Sequence, residues 1–228
     1  MSQLLLNIVP ERQLTLDNFV VGRNLELVSA LRHALSGDSS ERFFYVWGET
    51  GSGKSHLLQA CVNAARDLLL DAVYAQGSVP AQVMDTGATV VAVDDVGQLD
   101  DAAQIELFGV YNRMRDNGAM LLVSGNASPL HLMLRDDLRT RLGWGLVYQL
   151  HELSDEEKAR ALAQHARSLG LVLPQEVAQY LLRHGRRDLP SLMAVLESLD
   201  AHSLRLHRPP TVPLLKEVLQ QIEEQKGA

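Results

Sequence analysis

Residues 48–55 read Gly-Glu-Thr-Gly-Ser-Gly-Lys-Ser, the pattern G-x-x-x-x-G-K-[ST]. Three glycines, Gly48, Gly51 and Gly53, free the backbone to aim successive N–H groups at one point, where phosphate oxygens bind. Lys54 stands at the spacing that reaches β- and γ-phosphates, and Ser55 offers a hydroxyl to Mg²⁺. A helix beginning there adds partial positive charge. Gly48, Glu49, Thr50, Gly51, Ser52, Gly53, Lys54 and Ser55 together predict a cradle for ATP or ADP with Mg²⁺. An ordinary glycine-rich loop would lack the strand before it and the helix after it.

A second set of groups follows the run Val90-Val91-Ala92-Val93-Asp94-Asp95. An unbroken apolar stretch ending in two carboxylates puts charge at the C-terminal edge of a buried strand, where open α/β sheets bind ligands. Asp94 is expected to hold Mg²⁺ with Ser55, directly or through water. Asp95 is expected to orient or deprotonate an attacking water. The bland alternative is that both acids only end a loop. Ser124-Gly125-Asn126 closes the next apolar strand, so Asn126 is expected to polarise the same water. Gly-Asn is also an ordinary turn dipeptide.

These groups need a scaffold. Apolar positions 27, 28, 31 and 35 give residues 25–35 a helical face. Phe43–Trp47 is aromatic and β-branched, hence a buried strand leading into the loop at 48–55. Strands are also predicted over 71–75, 89–93, 119–123 and 146–150, with a helix from about Lys54 and another over 101–117. Short apolar strands alternating with helices predict a doubly wound parallel sheet. After residue 152 strand signals stop. Ser154-Asp155-Glu156-Glu157 is a capping box, and helices are predicted over about 155–169, 174–184, 189–206 and 212–225. The expected organisation is a leader, 1–18, an α/β nucleotide-binding domain, 19–152, and an all-helical lid, 153–228.

The bulk properties narrow the function. Apolar residues make up 46% of the 228, enough for a core, and the net charge of −7 supplies no global basic field for nucleic acid. A single cysteine, Cys61, excludes a disulfide framework and sits in an apolar helical stretch, where it reads as a small buried hydrophobe. No apolar run long enough to span a membrane and no secretory leader is evident, so a soluble, cytoplasmic protein is expected. The eight histidines show no ligand-like spacing, and Trp47 and Trp144 are expected to pack in cores.

At this point the residues resemble a family, the AAA+ ATPases, in the branch of the bacterial replication initiator DnaA. Thr15-Leu16-Asp17-Asn18-Phe19-Val20-Val21-Gly22-Arg23-Asn24 is similar to the segment that supports adenine there, which implies a nucleotide role for Val20 and Val21. Asp137-Leu138-Arg139-Thr140-Arg141-Leu142-Gly143-Trp144-Gly145-Leu146 resembles the segment carrying an arginine finger, with Arg141 at the finger position. The resemblance runs from about residue 15 to about 222. It implies an AAA+ P-loop NTPase fold, a parallel five-stranded sheet with flanking helices plus a small all-helical lid.

Within that branch the chain looks like the stand-alone regulatory group, because no helix-turn-helix domain follows the lid. Leu107–Arg113, Arg141–Gly145 and Leu150–Lys158 fit that group. Gln3-Leu4-Leu5-Leu6-Asn7-Ile8 resembles a sliding-clamp-binding peptide, with Gln3, Leu4, Leu6 and Ile8 as its contact residues. An extended peptide of this kind drops its apolar side chains into a pocket while the glutamine bonds at the rim. An ordinary N-terminal strand is the alternative. The resemblance implies DnaA and the β subunit of the DNA polymerase sliding clamp as partners, with DNA met only indirectly. It leaves homo-oligomerisation open.

Two positions sharpen the expectation. The lid arginine that touches nucleotide in AAA+ proteins falls here on Pro190, within Arg186-Arg187-Asp188-Leu189-Pro190-Ser191. Proline is comfortable in a first helical turn but cannot contact phosphate; Arg187 or Arg186, outside the helix, is the alternative for that role. Weak or absent self-hydrolysis follows, and an autonomous initiator-like or helicase-loader-like ATPase is the rival reading. Arg141 is either a finger acting in trans, or, with Arg139, one of a pair that bridges Asp136 or Asp137 on the surface.

Overall fold

The computed structural model describes residues 13–79, 87–186 and 188–226. The elements are α1 (Leu25–Ser36), β1 (Phe43–Trp47), α2 (Lys54–Asp67), β2 (Ala72–Gln76), β3 (Val90–Asp94), α3 (Asp101–Asp116), β4 (Met120–Gly125), α4 (Asp136–Leu142), β5 (Leu146–Gln149), α5 (Asp155–Ser168), α6 (Gln175–His184), α7 (Leu189–Leu206) and α8 (Val212–Lys226). Short 3₁₀ turns at Val96–Gln98 and Pro129–His131 follow β3 and β4.

The sheet order is β2-β3-β4-β1-β5. The β1–β4, β3–β4 and β2–β3 pairs are all parallel. β4 is the middle strand and β3 lies between it and β2, and every residue of both is buried. That double-sided burial is why they read as unbroken apolar runs rather than alternating ones. The expected parallel five-stranded α/β sheet with flanking helices is the architecture found.

The described residues fall into two compact units. The first comprises the described parts of Met1–Phe19, Glu26–Trp47 and Lys54–Tyr148. Its core joins Val91 and Val93 of β3 and Leu121 and Val123 of β4 to Leu107, Val110 and Met114 of α3, and to Leu138 and Leu142 of α4. The helix α4 is shorter than the helices legible from periodicity. Its seven residues bury only Leu138 and Leu142, too few to display a pattern. Arg66 of α2 donates from Nε and Nη2 to the Ala72 carbonyl at 3.1 and 2.9 Å, tying the helix end to the start of β2.

The second unit comprises the described parts of Val20–Leu25, Gly48–Gly53 and Gln149–Ala228. Its helices close on Leu162, Ala166, Leu181, Leu192, Leu196, Leu199 and Leu215. The Ser154 capping box forms as expected: Ser154 Oγ accepts from Glu157 N at 3.2 Å, and Ser154 N donates to Glu157 Oε2 at 2.7 Å. Asp188 caps α7 by accepting from Ser191 N at 2.9 Å, with Pro190 in the first turn. His165 is buried in this unit with Nε2 2.9 Å from Glu197 Oε1, a packing role. Among the described residues no helix is long and apolar enough to cross a membrane.

Candidate functional site

Each unit carries part of the predicted machinery. In the first, the end of β3 delivers Asp94 into the interior at 1% exposure. Both carboxylate oxygens are engaged. The Ser124 hydroxyl, from β4, donates to Oδ1, and the Tyr74 hydroxyl, from β2, donates to Oδ2 at 2.7 Å. Ser124 Oγ in turn accepts from the backbone N–H of Asp95 at 2.9 Å. The strand register explains the convergence. Tyr74 pairs with Ala92 and Gln76 with Asp94, so Tyr74, Ala92 and Asp94 share one face of the sheet.

The chain turns sharply after Asp94. Asp95 adopts a left-handed conformation, φ 55°, that few non-glycine residues take. This swings its carboxylate out of the strand direction, where Gln98 Nε2 donates to Oδ2. A Cβ placed on Gly97 would lie 3.9 Å from Asp95 Oδ1 and 3.8 Å from Asn126 Oδ1. Asp95 and Asn126, both singled out for handling water, thus flank one glycine. Neither the turn nor the Ser124 and Tyr74 contacts is signalled by the local sequence.

Gly125 has a role beyond a turn. It is the last residue of β4, and the Tyr45 side chain crosses it to donate to the Ala127 carbonyl at 2.7 Å. A Cβ on Gly125 would stand 2.1 Å from the Tyr45 hydroxyl oxygen. Burial, and then the charge of Asp95, push the Tyr45 phenol well above its ordinary value, so it remains a donor.

Lys54 and Ser55 open α2 in the same unit. Ser55 and, one turn later, Gln59 stand close enough to the Tyr74 hydroxyl to oppose the rise that burial gives its pKa. Cys61, in the middle of α2, is fully buried, and burial pushes its thiol up to about 12, which removes it from thiolate chemistry.

The second unit holds Gly48–Gly53. Gly51 and Gly53 have φ of 88° and 102°, the region that favours glycine. At Gly48 a Cβ would come within 2.5 Å of the Leu150 carbonyl oxygen and 3.0 Å of Ser52 Oγ. Ser52 is 8% exposed, and its hydroxyl has no hydrogen-bond partner among the described residues. A buried unpaired hydroxyl costs roughly 1–3 kcal/mol, which an anion bound in the loop would relieve. Those features fit a bound phosphate chain. Near Gly51, a Cβ would sit 3.7 Å from the Cβ of Asp188. Partial burial raises the Asp188 pKa, but the hydrogen bonds from Ser191 and the Arg186 guanidinium outweigh it and leave it below the ordinary value. Arg186 Nε lies 3.7 Å from Asp188 Oδ2, and Arg187 lies outside the described residues.

Val20 and Val21 are half-buried here. Asn24, which pattern reading passed over, anchors their segment. It accepts at Oδ1 from His151 N at 2.8 Å and donates from Nδ2 to His151 O at 2.9 Å.

Arg141 lies in the first unit, near the end of α4. Arg139 takes the ion pair, Nη2 to Asp136 Oδ1 at 2.7 Å. Arg141 instead lies over three rings: its guanidinium carbon is 4.2 Å from the Trp144 centroid, 5.4 Å from Phe108 and 5.7 Å from Tyr111. Its Nη1 is buried without a hydrogen-bond partner among the described residues. Burial raises the Tyr111 phenol pKa, and the Arg141 charge opposes that. Trp144, expected in a core, is 60% exposed, because its ring covers the guanidinium rather than apolar side chains. Trp47 is half-buried, packed against the first unit's core. The clamp-peptide residues Gln3, Leu4, Leu6 and Ile8 fall outside the described residues.

Comparison with known proteins places this geometry. Residues 155–219 match the family described as the Hda lid domain, and residues 11–75 match the bacterial DnaA ATPase domain. A Haemophilus influenzae relative, described as an uncharacterized protein, is 36% identical over 216 residues, covering 90% of this chain and 93% of its own. Domain III of the Thermotoga maritima replication initiation protein DnaA superposes with a TM-score of 0.77 at 20% identity, over 92% of this chain and 97% of that one. AMPPCP-bound DnaA from Aquifex aeolicus superposes with a TM-score of 0.73 at 21% identity, over 94% of this chain and 70% of that one. These structural likenesses establish the fold. Together with the sequence matches they show that the chain belongs to the Hda/DnaA-related AAA+ family.

Proposed function

We propose that this chain is a nucleotide-binding regulator of replication initiation that stimulates ATP hydrolysis by DnaA and so prevents over-initiation. The observation that carries the reading is the presence in one chain of a DnaA-type ATPase segment and an Hda-type lid. Nucleotide binding is supported by the loop glycines and by the Ser52 hydroxyl, which has no hydrogen-bond partner among the described residues. In this reading Gly48–Ser55 hold the phosphates of ATP or ADP, and Val20 and Val21 flank the base. Ser55 and Asp94 hold Mg²⁺, which would neutralise phosphate charge.

Arg141 is the group offered to DnaA. A guanidinium held over the Phe108, Tyr111 and Trp144 rings, with no ion pair among the described residues, retains the capacity to stabilise charge developing on a phosphate held by another subunit. Gln3, Leu4, Leu6 and Ile8 are the groups proposed to bind the sliding clamp. Such tethering would raise the local concentration of the regulator near DnaA after replication starts. DNA is met through these partners.

The deciding experiment is ATP turnover by DnaA with loaded clamp and DNA. Added wild-type chain accelerates turnover and Arg141→Ala does not. If the wild-type chain adds nothing, the regulatory reading fails. Clamp pull-down with Gln3→Ala and Leu6→Ala tests the peptide, and binding equal to wild type refutes its role.

A second reading, an autonomous ATPase, is favoured by the meeting of Asp95 and Asn126 around Gly97. It predicts robust turnover by the chain alone, abolished by Asp95→Ala. Pro190 in the first turn of α7, unable to touch phosphate, weighs against it.

A further inference from the structure

The Tyr74 hydroxyl holds Asp94, one of the two residues assigned to the divalent cation. It donates its only proton to Asp94 Oδ2 at 2.7 Å. Ser55 and Gln59 of α2 stand close enough to this oxygen to oppose the rise of its pKa. Asp94 has a lone pair on each oxygen beyond those taken by Tyr74 and Ser124. A hydroxyl that fixes the carboxylate plane of Asp94 helps set the geometry that Mg²⁺ demands.

Sheet register places the Tyr74 hydroxyl without strain, since Tyr74 stands opposite the small Ala92, two residues before Asp94 on the same face.

We propose that Tyr74 is a positioning residue for the divalent cation, holding the Asp94 carboxylate in the orientation through which Mg²⁺ tightens nucleotide binding. The inference rests on the nucleotide reading above and names a residue that neither phosphate motif contains.

The test titrates a fluorescent ADP analogue into the full chain, once in EDTA and once in excess Mg²⁺, for wild type and Tyr74→Phe. The variant keeps the ring and removes only the hydroxyl. The expected result is that the Mg²⁺-dependent gain in affinity falls by about tenfold, while affinity in EDTA stays within about twofold and the melting temperature holds. Mn²⁺ electron paramagnetic resonance on the ADP complex gives a direct second readout, with weaker Mn²⁺ binding expected in Tyr74→Phe. An unchanged Mg²⁺ gain, or an equal loss in EDTA and Mg²⁺, overturns the inference and leaves the nucleotide reading standing. A wild-type chain that binds the analogue with no Mg²⁺ gain overturns the inference and the metal assignment. One that binds no nucleotide overturns the nucleotide reading as well.

Discussion

The Arg141 guanidinium lies on the face of the Trp144 ring, 4.2 Å from its centroid, in an indole that is otherwise 60% exposed. A cation held on a ring face keeps its charge and most of its N–H donors while losing rotamer freedom. Arg141→Ala is predicted to reduce stimulation of DnaA turnover on the order of 10³-fold. Trp144→Ala, which removes a contact of about 0.5–1 kcal/mol, is predicted to reduce it a few-fold. Turnover assays with both variants check this. A Trp144→Ala loss as deep as that of Arg141→Ala would mean the ring itself contacts the partner.

Gly125→Ala is predicted to destabilise the chain by about 1–3 kcal/mol, since the new Cβ would meet the Tyr45 hydroxyl at 2.1 Å. In a Tyr45→Phe background the same substitution is predicted to cost less, because the colliding oxygen is gone. Urea unfolding of the double-mutant cycle measures the coupling. Additive losses would show that the collision is relieved elsewhere.

Ser154→Ala removes the side-chain acceptor for Glu157 N at the start of α5. The expected cost is about 1 kcal/mol, seen as a lower urea midpoint at an unchanged slope. Ser154→Asp, which preserves an acceptor, is predicted to restore most of it.

The same cap makes stability depend on pH. The hydrogen bond from Ser154 N lowers the Glu157 pKa below its ordinary value of 4.5. A carboxylate depressed in the folded state stabilises above its unfolded pKa, and that contribution is lost as pH falls through the folded pKa. Melting temperature is therefore predicted to be level from neutrality to about pH 5 and to decline at lower pH. Glu157→Gln is predicted to flatten that decline. An equal decline in both proteins assigns it to other carboxylates.

Local patterns carried much of this molecule. Gly48–Ser55, the apolar run into Asp94, and Ser154 with Glu157 each announce themselves within a few residues, because strand burial, phosphate cradles and helix caps impose short-range demands on residue type. Helix α4 was harder to see: seven residues burying two leucines display no period. The clustering around Asp94 required the fold. Tyr74, Asp94 and Ser124 come from three adjacent parallel strands, and strand order and register bring their side chains together. Trp144 shows the same limit in reverse. Its type suggested a core, but the packing of α4 against α3 put Arg141 among Phe108, Tyr111 and Trp144, and the indole covers a charge instead of the interior. Composition and spacing specify what each segment prefers; contacts between segments distant in sequence depend on how the strands and helices pack, which no local preference encodes.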